Sequence, residues 1–397
     1  MIKKPELLSP VADFTSLTAA IEAGCNAVYF GLKDLNMRMS AKNFELKDLK
    51  KITDICHKNN IKAYLTLNTI VYDNEIKKIK EIIKKAKQAK IDAIICWDLS
   101  VVNEVKKYNI PLHISTQASV SNSESAKMYK KFGASRIILA RELNLNQIKK
   151  IKKEAKIEVE CFIHGAMCVS ISGRCFLSQF LFNKSANRGK CIQPCRREYT
   201  IKDTEENHEL SLGKDYILSP KDLCTLNFIE KLIESGIDAF KIEGRARSPE
   251  YVFYVTQVYR KAIDSYFEKK LTKELKEKLM LELEKVYNRG FSSGFFLGKP
   301  INEFVNPENQ SKTKKIFIGV VKNYYNKVNV AEIKLQSGSI NINDTLMIQG
   351  PTTGTYEQKI DSIEINNKKI NSAKKGMSIG IKINKKIRKN DKVFLIK

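Results

Sequence analysis

Eight short β-rich runs, each followed by a segment of helical periodicity, limit what this chain can fold into before any single residue does. They read PELLSPV (5–11), AVYFG (27–31), AYLTLN (63–68), AIICWD (93–98), LHIST (112–116), RIILA (136–140), VECFIHG (159–165) and AFKIEG (239–244). The stretches between them, such as Leu46 to Lys58 and Asn74 to Ala89, place apolar residues at a period near 3.6. Strand–helix alternation requires parallel pairing through right-handed crossovers. Eight such units within about 245 residues predict an α/β fold of the closed (β/α)8 barrel type. An open doubly wound sheet lacks its usual support, because no G-x-G-x-x-G follows the first strand.

One spacing departs from the pattern. Gly165 and Ala239 are separated by 73 residues. A helix from about Pro220 to Ser235 accounts for the last part, which leaves 166–219 as an insertion at the C-terminal mouth of strand seven. Barrel enzymes build their active sites at that mouth, and long insertions there are usually functional. Helical patterns at 249–268 and 272–287 and a turn-rich stretch at 288–300 complete a domain spanning 1–300. Residues 301–314, with Pro307, read as a linker. From 315 to 397 the pattern becomes six short alternating strands, predicting a small β-barrel domain.

Composition narrows the function classes. No apolar run is long enough to cross a membrane, and the start, MIKKPELLSPVADF, has no apolar core of a signal peptide, so a cytoplasmic protein is expected. In that reducing setting the nine cysteines are buried, catalytic or metal-bound rather than disulfide-bonded. The net charge of +26 favours a polyanionic partner, nucleic acid first. The bases comprise 58 Lys and 12 Arg, and nine of the arginines fall between Arg136 and Arg260. Arginine is the side chain suited to bidentate carboxylate or phosphate contacts.

Cys168, Cys175, Cys191 and Cys195 lie within 28 residues of the insertion, and Cys224 follows where the next helix is expected to open. Cys25, Cys56, Cys96 and Cys161 stand among apolar neighbours and read as core. Thiolates bind soft or borderline metals. Structural zinc favours paired C-x2–4-C knuckles. Cys191 and Cys195 have three residues between them, but Cys168 and Cys175 have six. On spacing alone zinc and an iron–sulfur cluster stand nearly level. A helix opened by Pro220 or Asp222 would favour a Cys224 thiolate through its dipole. Gly165, Gly173 and Gly189 are positions where the backbone can pass close to a cofactor. Arg174, Arg188, Arg196 and Arg197 surround the cluster. His164 ends strand seven as a candidate acid or base. Glu243, Arg245 and Arg247 leave strand eight, Arg141 and Glu142 leave strand six, and Gln117 ends strand five. No G-x-S-x-G elbow, H-E-x-x-H or Walker loop is present.

The run from Glu160 to Ser178, ECFIHGAMCVSISGRCFLS, resembles the signature of peptidase family U32, the collagenase-like proteases. The resemblance extends through ELLSP, ISTQ, LARELN, SPKDLC, KIEGRARSPEYV and NRGFSSGFF. It is closest to the family's prephenate-dependent tRNA uridine hydroxylases, which form 5-hydroxyuridine at the wobble position. The C-terminal domain resembles the β-barrel of translation factors. The resemblance implies a [4Fe–4S] cluster, with zinc as the alternative, prephenate as co-substrate and tRNA as partner. It implies Cys168, Cys175 and Cys191 as ligands, with the fourth place open between Cys195 and Cys224. On this reading Arg141, Arg174, Arg245 and Gln117 bind substrate, His164 or Glu243 moves protons, and lysines such as Lys322 and Lys327 hold the tRNA backbone. The alternatives implied are a peptidase, or a hydroxylase of ribosomal RNA or of the quinone pathway.

Overall fold

In a computed structural model of the chain, all eight expected runs are strands of one closed parallel barrel. Residues 2–197, 200–202, 205–206, 209–211, 218–300, 305, 308–366 and 368–397 are described. The first six strand–helix units are β1 (Glu6–Pro10), α1 (Phe14–Glu22), β2 (Ala27–Gly31), α2 (Leu49–Lys58), β3 (Lys62–Leu67), α3 (Ile76–Gln88), β4 (Ala93–Cys96), α4 (Leu99–Lys107), β5 (Leu112–Ile114), α5 (Ser123–Lys131), β6 (Ala134–Ile138) and α6 (Leu145–Ala155). Then come β7 (Glu158–Gly165) and, in the insertion, α7 (Leu177–Phe182) and a hairpin of β8 (Thr200–Lys202) with β9 (Glu209–Ser211). The domain ends with β10 (Asp222–Cys224), α8 (Ile229–Glu234), β11 (Ala239–Ile242), α9 (Pro249–Phe267), α10 (Lys273–Glu284) and β12 (Phe291–Ser292). β11 pairs with both β1 and β7, which closes the ring.

The helices form for local reasons. α3 buries Ile79, Ile82, Ile83 and Ala86, one stripe at helical spacing, and turns its lysines outward. Each buried isoleucine contributes about 1.5–3 kcal/mol. Asp13 caps α1 by accepting from the Ser16 amide at 2.8 Å, while Ser16 Oγ accepts from the Asp13 amide at 3.1 Å. Asn144 and Gln147 repeat that reciprocal cap on α6.

Two features matter for the site, the first a departure from the sequence reading. The helix expected from Pro220 begins only at Ile229. Asp222–Cys224 instead form β10, antiparallel to the end of β7. The second feature, on which the sequence reading is silent, is a barrel interior that contains charges as well as aliphatic side chains. Arg136, 4% exposed, pairs with Glu6 at 2.6 Å, Glu158 at 2.9 Å and Glu160 at 3.2 Å, and Lys241 pairs with Glu160 at 2.7 Å.

The C-terminal domain is antiparallel throughout, with more strands than the six expected. They are β13 (Lys315–Tyr325), β14 (Val330–Leu335), β15 (Ser339–Asn341), β16 (Thr345–Gly350), β17 (Gly354–Lys359), β18 (Ile363–Ile365), β19 (Lys368–Ile370), β20 (Ser372–Lys374), β21 (Ser378–Lys382) and β22 (Lys392–Ile396). Eight form one sheet in the order β17-β16-β22-β13-β14-β21-β18-β19, with β15 and β20 as a separate pair. The small β-barrel domain expected here is an antiparallel sheet wrapped on its own core; among the described residues no ladder joins β17 to β19. The domain sits against the barrel's outer helices. Thr18 donates to the Pro351 carbonyl at 2.7 Å, Lys385 pairs with Glu22 at 2.6 Å, and Lys315 pairs with Glu250 at 2.7 Å. Most of the expected linker, 301–304 and 306–307, and parts of 198–217 lie outside the described residues. Among the described residues no helix is long and apolar enough to cross a membrane.

Candidate active site at the barrel mouth

A cavity of about 350 Å³ opens at the C-terminal ends of the strands. Its floor and one wall come from the strand ends, with Tyr29, Thr66, Gln117, Arg141, Phe162, Lys241, Glu243 and Arg245 among the lining residues. The opposite wall is the insertion, contributing Cys168, Cys175, Cys191, Cys195 and Arg196. Pockets of this size suit small-molecule ligands.

Glu243 is the anionic centre of the floor. Arg38 donates to its Oε1 through Nε at 3.2 Å and approaches the same oxygen through a terminal nitrogen at 3.1 Å, while Arg141 stands 3.5 Å from Oε2. Burial raises the Glu243 pKa, but Arg38, Arg141 and Arg245 outweigh it and hold the carboxyl below its ordinary range. Glu243 is therefore ionised at neutral pH and a weak base. Its evident work is to fix guanidinium groups. Arg245 is 4% exposed and donates to Thr66 Oγ1 at 2.9 Å; burial pushes its pKa down to about 10. Arg141 donates to the Ala166 carbonyl at 2.8 Å, with its guanidinium 3.8 Å from the Phe162 ring centre. Two guanidinium groups thus contact one carboxylate and a third, Arg245, lies in its field, an arrangement that favours an incoming anion. Gln117 is buried, and its Oε1 accepts from Ser115 Oγ at 2.5 Å and from Asn68 at 3.2 Å, leaving its amide nitrogen as donor.

Arg38 was missed by the sequence reading. It lies far from the arginine-rich segment, in the loop after β2, with no local motif around it. Asn36 Oδ1 accepts from the Arg38 amide at 2.9 Å, and Ser40 donates to the Gly189 carbonyl, which ties this loop to the insertion. Gly189 is needed for that contact: its φ is +79°, and a Cβ there would lie 2.1 Å from the Asn36 carbonyl oxygen. Gly165, at φ +103°, likewise lets β7 pass the Glu243 carbonyl, which a Cβ would approach to 2.4 Å. These two glycines accommodate the protein's own backbone, whereas Gly173 has open space beside it.

His164 does not face the cavity. The β7–β11 register shifts between Lys241 and Ile242, so Lys241 pairs with Phe162 and Ile242 with His164. The irregularity reverses the side-chain alternation. His164 lies among Tyr251, Tyr259 and Phe291, with Nδ1 3.3 Å from the Tyr259 hydroxyl. Burial, with Arg247 adding to it, pushes its pKa down to about 3. The proton-transfer role expected for His164 has no geometric support. Arg174 is also outside the lining. It is exposed at the rim, donating to Ser119 at 3.2 Å. Arg188 is bound to Glu75 and to the Ile70 carbonyl.

Four of the five candidate cysteine ligands share the cavity wall. The Leu177 amide donates to Cys175 Sγ at 3.3 Å, and the Gln193 amide to Cys191 Sγ at 3.4 Å. Cys168 Sγ is 3.0 Å from Ser170 Oγ. Burial pushes Cys195 up to about 11; Arg196 opposes this, and the thiols of Cys168, Cys191 and Cys175 add to it. Cys224 is elsewhere: buried in β10, with Sγ 3.7 Å from the Tyr259 hydroxyl and its pKa pushed up to about 11 by burial. The α-helix whose dipole was expected to activate it starts only at Ile229; Cys224 itself is a strand residue, followed by a single 3-10 turn at Leu226–Phe228. Cys25, Cys56, Cys96 and Cys161 are core residues. As the chain stands, no three His, Cys, Asp or Glu side chains among the described residues meet to hold a single metal ion. The soft donor set, and the amides directed at two of its sulfurs, fit a thiolate-ligated group.

The family model of peptidase family U32 matches residues 12–306. The chain is 45% identical over 409 residues to an uncharacterized protease of Methanocaldococcus jannaschii, covering 100% of this chain and 99% of that one. It is 40% identical over 402 residues to a collagenase of Porphyromonas gingivalis, covering 98% and 97%. It is 33% identical over 368 residues to tRNA hydroxylation protein P1 of Bacillus subtilis, covering 91% and 87%.

Proposed function

The chain belongs to peptidase family U32, and on that premise we propose that it is an RNA-modifying enzyme: a prephenate-dependent hydroxylase of the tRNA wobble uridine. The observation that carries this reading is the pairing, in one cavity, of a four-cysteine wall with a floor of arginines gathered on one glutamate. Support for the RNA substrate comes from the tRNA hydroxylation relative and from the charge of +26.

Cys168, Cys175, Cys191 and Cys195 would hold a [4Fe–4S] cluster, with Cys195 rather than Cys224 as the fourth ligand because it shares the cavity wall. A cluster puts several irons between its thiolates, so four sulfurs need not meet at one point as they must around zinc, at about 2.3 Å each. When bound, such a cluster supplies a Lewis-acidic or redox-active iron. The chain's own residues supply recognition. Arg245, Arg141 and Arg38 receive the carboxylates of prephenate; Glu243 holds Arg38 and Arg141 in place and Thr66 holds Arg245. Gln117 offers its amide nitrogen to a carbonyl of the substrate. The cysteine wall and Phe162 restrict water. The anticodon base is single-stranded, so bringing it to the mouth costs little unstacking energy. Lys322 and Lys327, exposed on the C-terminal domain, suit phosphate contacts.

The test is mass spectrometry of tRNA from a strain lacking the gene. Nucleosides derived from 5-hydroxyuridine disappear and return with the wild-type copy; their persistence in a strain without paralogues rejects the proposal. Anaerobic purification, with iron counts and an absorption spectrum, tests the ligand set: Cys195→Ser loses iron and Cys224→Ser keeps it. Among the described residues no histidine lines this cavity, so it holds no Ser–His or Cys–His pair of the kind a serine or cysteine peptidase uses.

A further inference from the structure

The outer face of the insertion carries a feature that the cavity does not use. On and beside α7, Phe176 is 60% exposed and Phe180 81%, with ring centroids 5.8 Å apart and planes at 34°. Ile171 is 65% exposed nearby. Exposing several large apolar side chains together costs solvation free energy and marks an interaction surface. The cavity-facing residues of the same turn are Cys175, Leu177 and Ser178. The aromatic face and the cavity wall are therefore two sides of one short helix.

The chemistry around these rings selects the occupant. Residues 161–197 contain six Lys and Arg and no Asp or Glu. Around the mouth each of three guanidinium groups lies beside an aromatic ring: Arg197 is 4.3 Å from the centre of Phe182, Arg188 4.6 Å from Tyr72, and Arg174 5.8 Å from Trp97. A purely apolar partner would not need the bases, and a duplex would not need flat exposed rings. Rings interleaved with cations match a single strand, whose bases stack while its phosphates are neutralised. We propose that Phe176 and Phe180 form a stacking platform for unpaired nucleotides flanking the base that enters the cavity, with Arg174 and Arg197 holding the adjoining phosphates. This rests on the RNA reading above and adds to it the surface that grips the loop.

The platform is tested by fluorescence anisotropy of the full-length protein, purified anaerobically, with labelled oligouridine and with a blunt RNA duplex of the same length. The Phe176→Ala/Phe180→Ala double variant weakens oligouridine binding by about tenfold or more and leaves duplex binding unchanged. Phe180→Trp retains binding, while Phe180→Leu, apolar but not flat, weakens it. Both rings are solvent-exposed, so these variants melt at the wild-type temperature. Unchanged oligouridine affinity in the double variant overturns the platform. So does wild-type binding by Phe180→Leu, or a defect seen instead in self-association or in binding to phosphatidylglycerol vesicles. Complementation separates the two claims. If wild type restores 5-hydroxyuridine nucleosides and the double variant does so equally well at low expression, the platform fails and the hydroxylase stands. If wild type restores none, the hydroxylase fails and the anisotropy still decides the platform.

Discussion

Two layers of charge lie one above the other inside the same barrel, and they are balanced in opposite ways. In the lower layer Arg136 meets Glu6, Glu158 and Glu160, and Lys241 meets Glu160. Each buried cation there has a carboxylate in contact. In the upper layer a single carboxylate, Glu243, is contacted by Arg38 and Arg141 and lies in the field of Arg245. A buried charge left without a partner costs several kcal/mol. The matched layer therefore belongs to the fold; on the function proposed above, the unmatched layer is the one that a negatively charged ligand completes. Lys241 touches both, lining the cavity while anchored to Glu160 below.

The comparison is open to breakage at three points. The largest effect is expected in the lower layer. Glu160→Ala strands the buried Lys241, takes one of three carboxylates from Arg136 and costs about 3–5 kcal/mol of stability, read from the urea midpoint; a change within error would mean the layer is not what holds the barrel. Next is Arg245→Ala in the upper layer. It removes a guanidinium from a crowded positive site, so stability changes by less than about 1 kcal/mol, while prephenate affinity by calorimetry falls about tenfold or more. A stability loss as large as that of Glu160→Ala would erase the distinction between the layers.

The smallest effect on activity is expected at His164. Its folded pKa of about 3 lies below the unfolded value of 6.5. Between these the unfolded chain binds the proton and the folded chain does not, so stability is full above pH 6.5 and falls as pH drops toward 3. His164→Phe flattens the part of that slope between pH 6.5 and 4.5, before the carboxylates titrate. It also leaves tRNA hydroxylation within about twofold of wild type, since the ring faces the helical layer. A hydroxylation loss of a hundredfold would restore His164 to the chemistry.

The barrel was legible because its signal is repeated. Eight apolar runs and the helical stripes between them each constrain the same topology, so an error in one run does not change the fold. The cysteine wall was legible because its four members are close in sequence. The arginine floor was only half legible: Arg141 and Arg245 follow strand ends, but Arg38 comes from a loop without any motif, and only the folded chain brings it to Glu243. His164 was misplaced because a strand end was taken to face the mouth, whereas the register shift between Lys241 and Ile242, which no residue type announces, turns the ring away. Cys224 was misplaced for a related reason. Pro220 and Asp222 look like helix openers, yet Asp222 is buried and bonded to Arg289 at 2.6 Å.

The cavity's two walls have different origins. The thiols belong to one continuous excursion, Cys168 to Cys195, whereas the guanidinium groups arrive on the ends of separate strands. On the function proposed above, damage by oxygen is therefore local: the excursion loses its inorganic centre while the strand ends keep their shape. On the same reading such a molecule still captures the proposed dicarboxylate and holds it without turnover. Repair would then consist of refilling one loop, with no need to refold the scaffold beneath it.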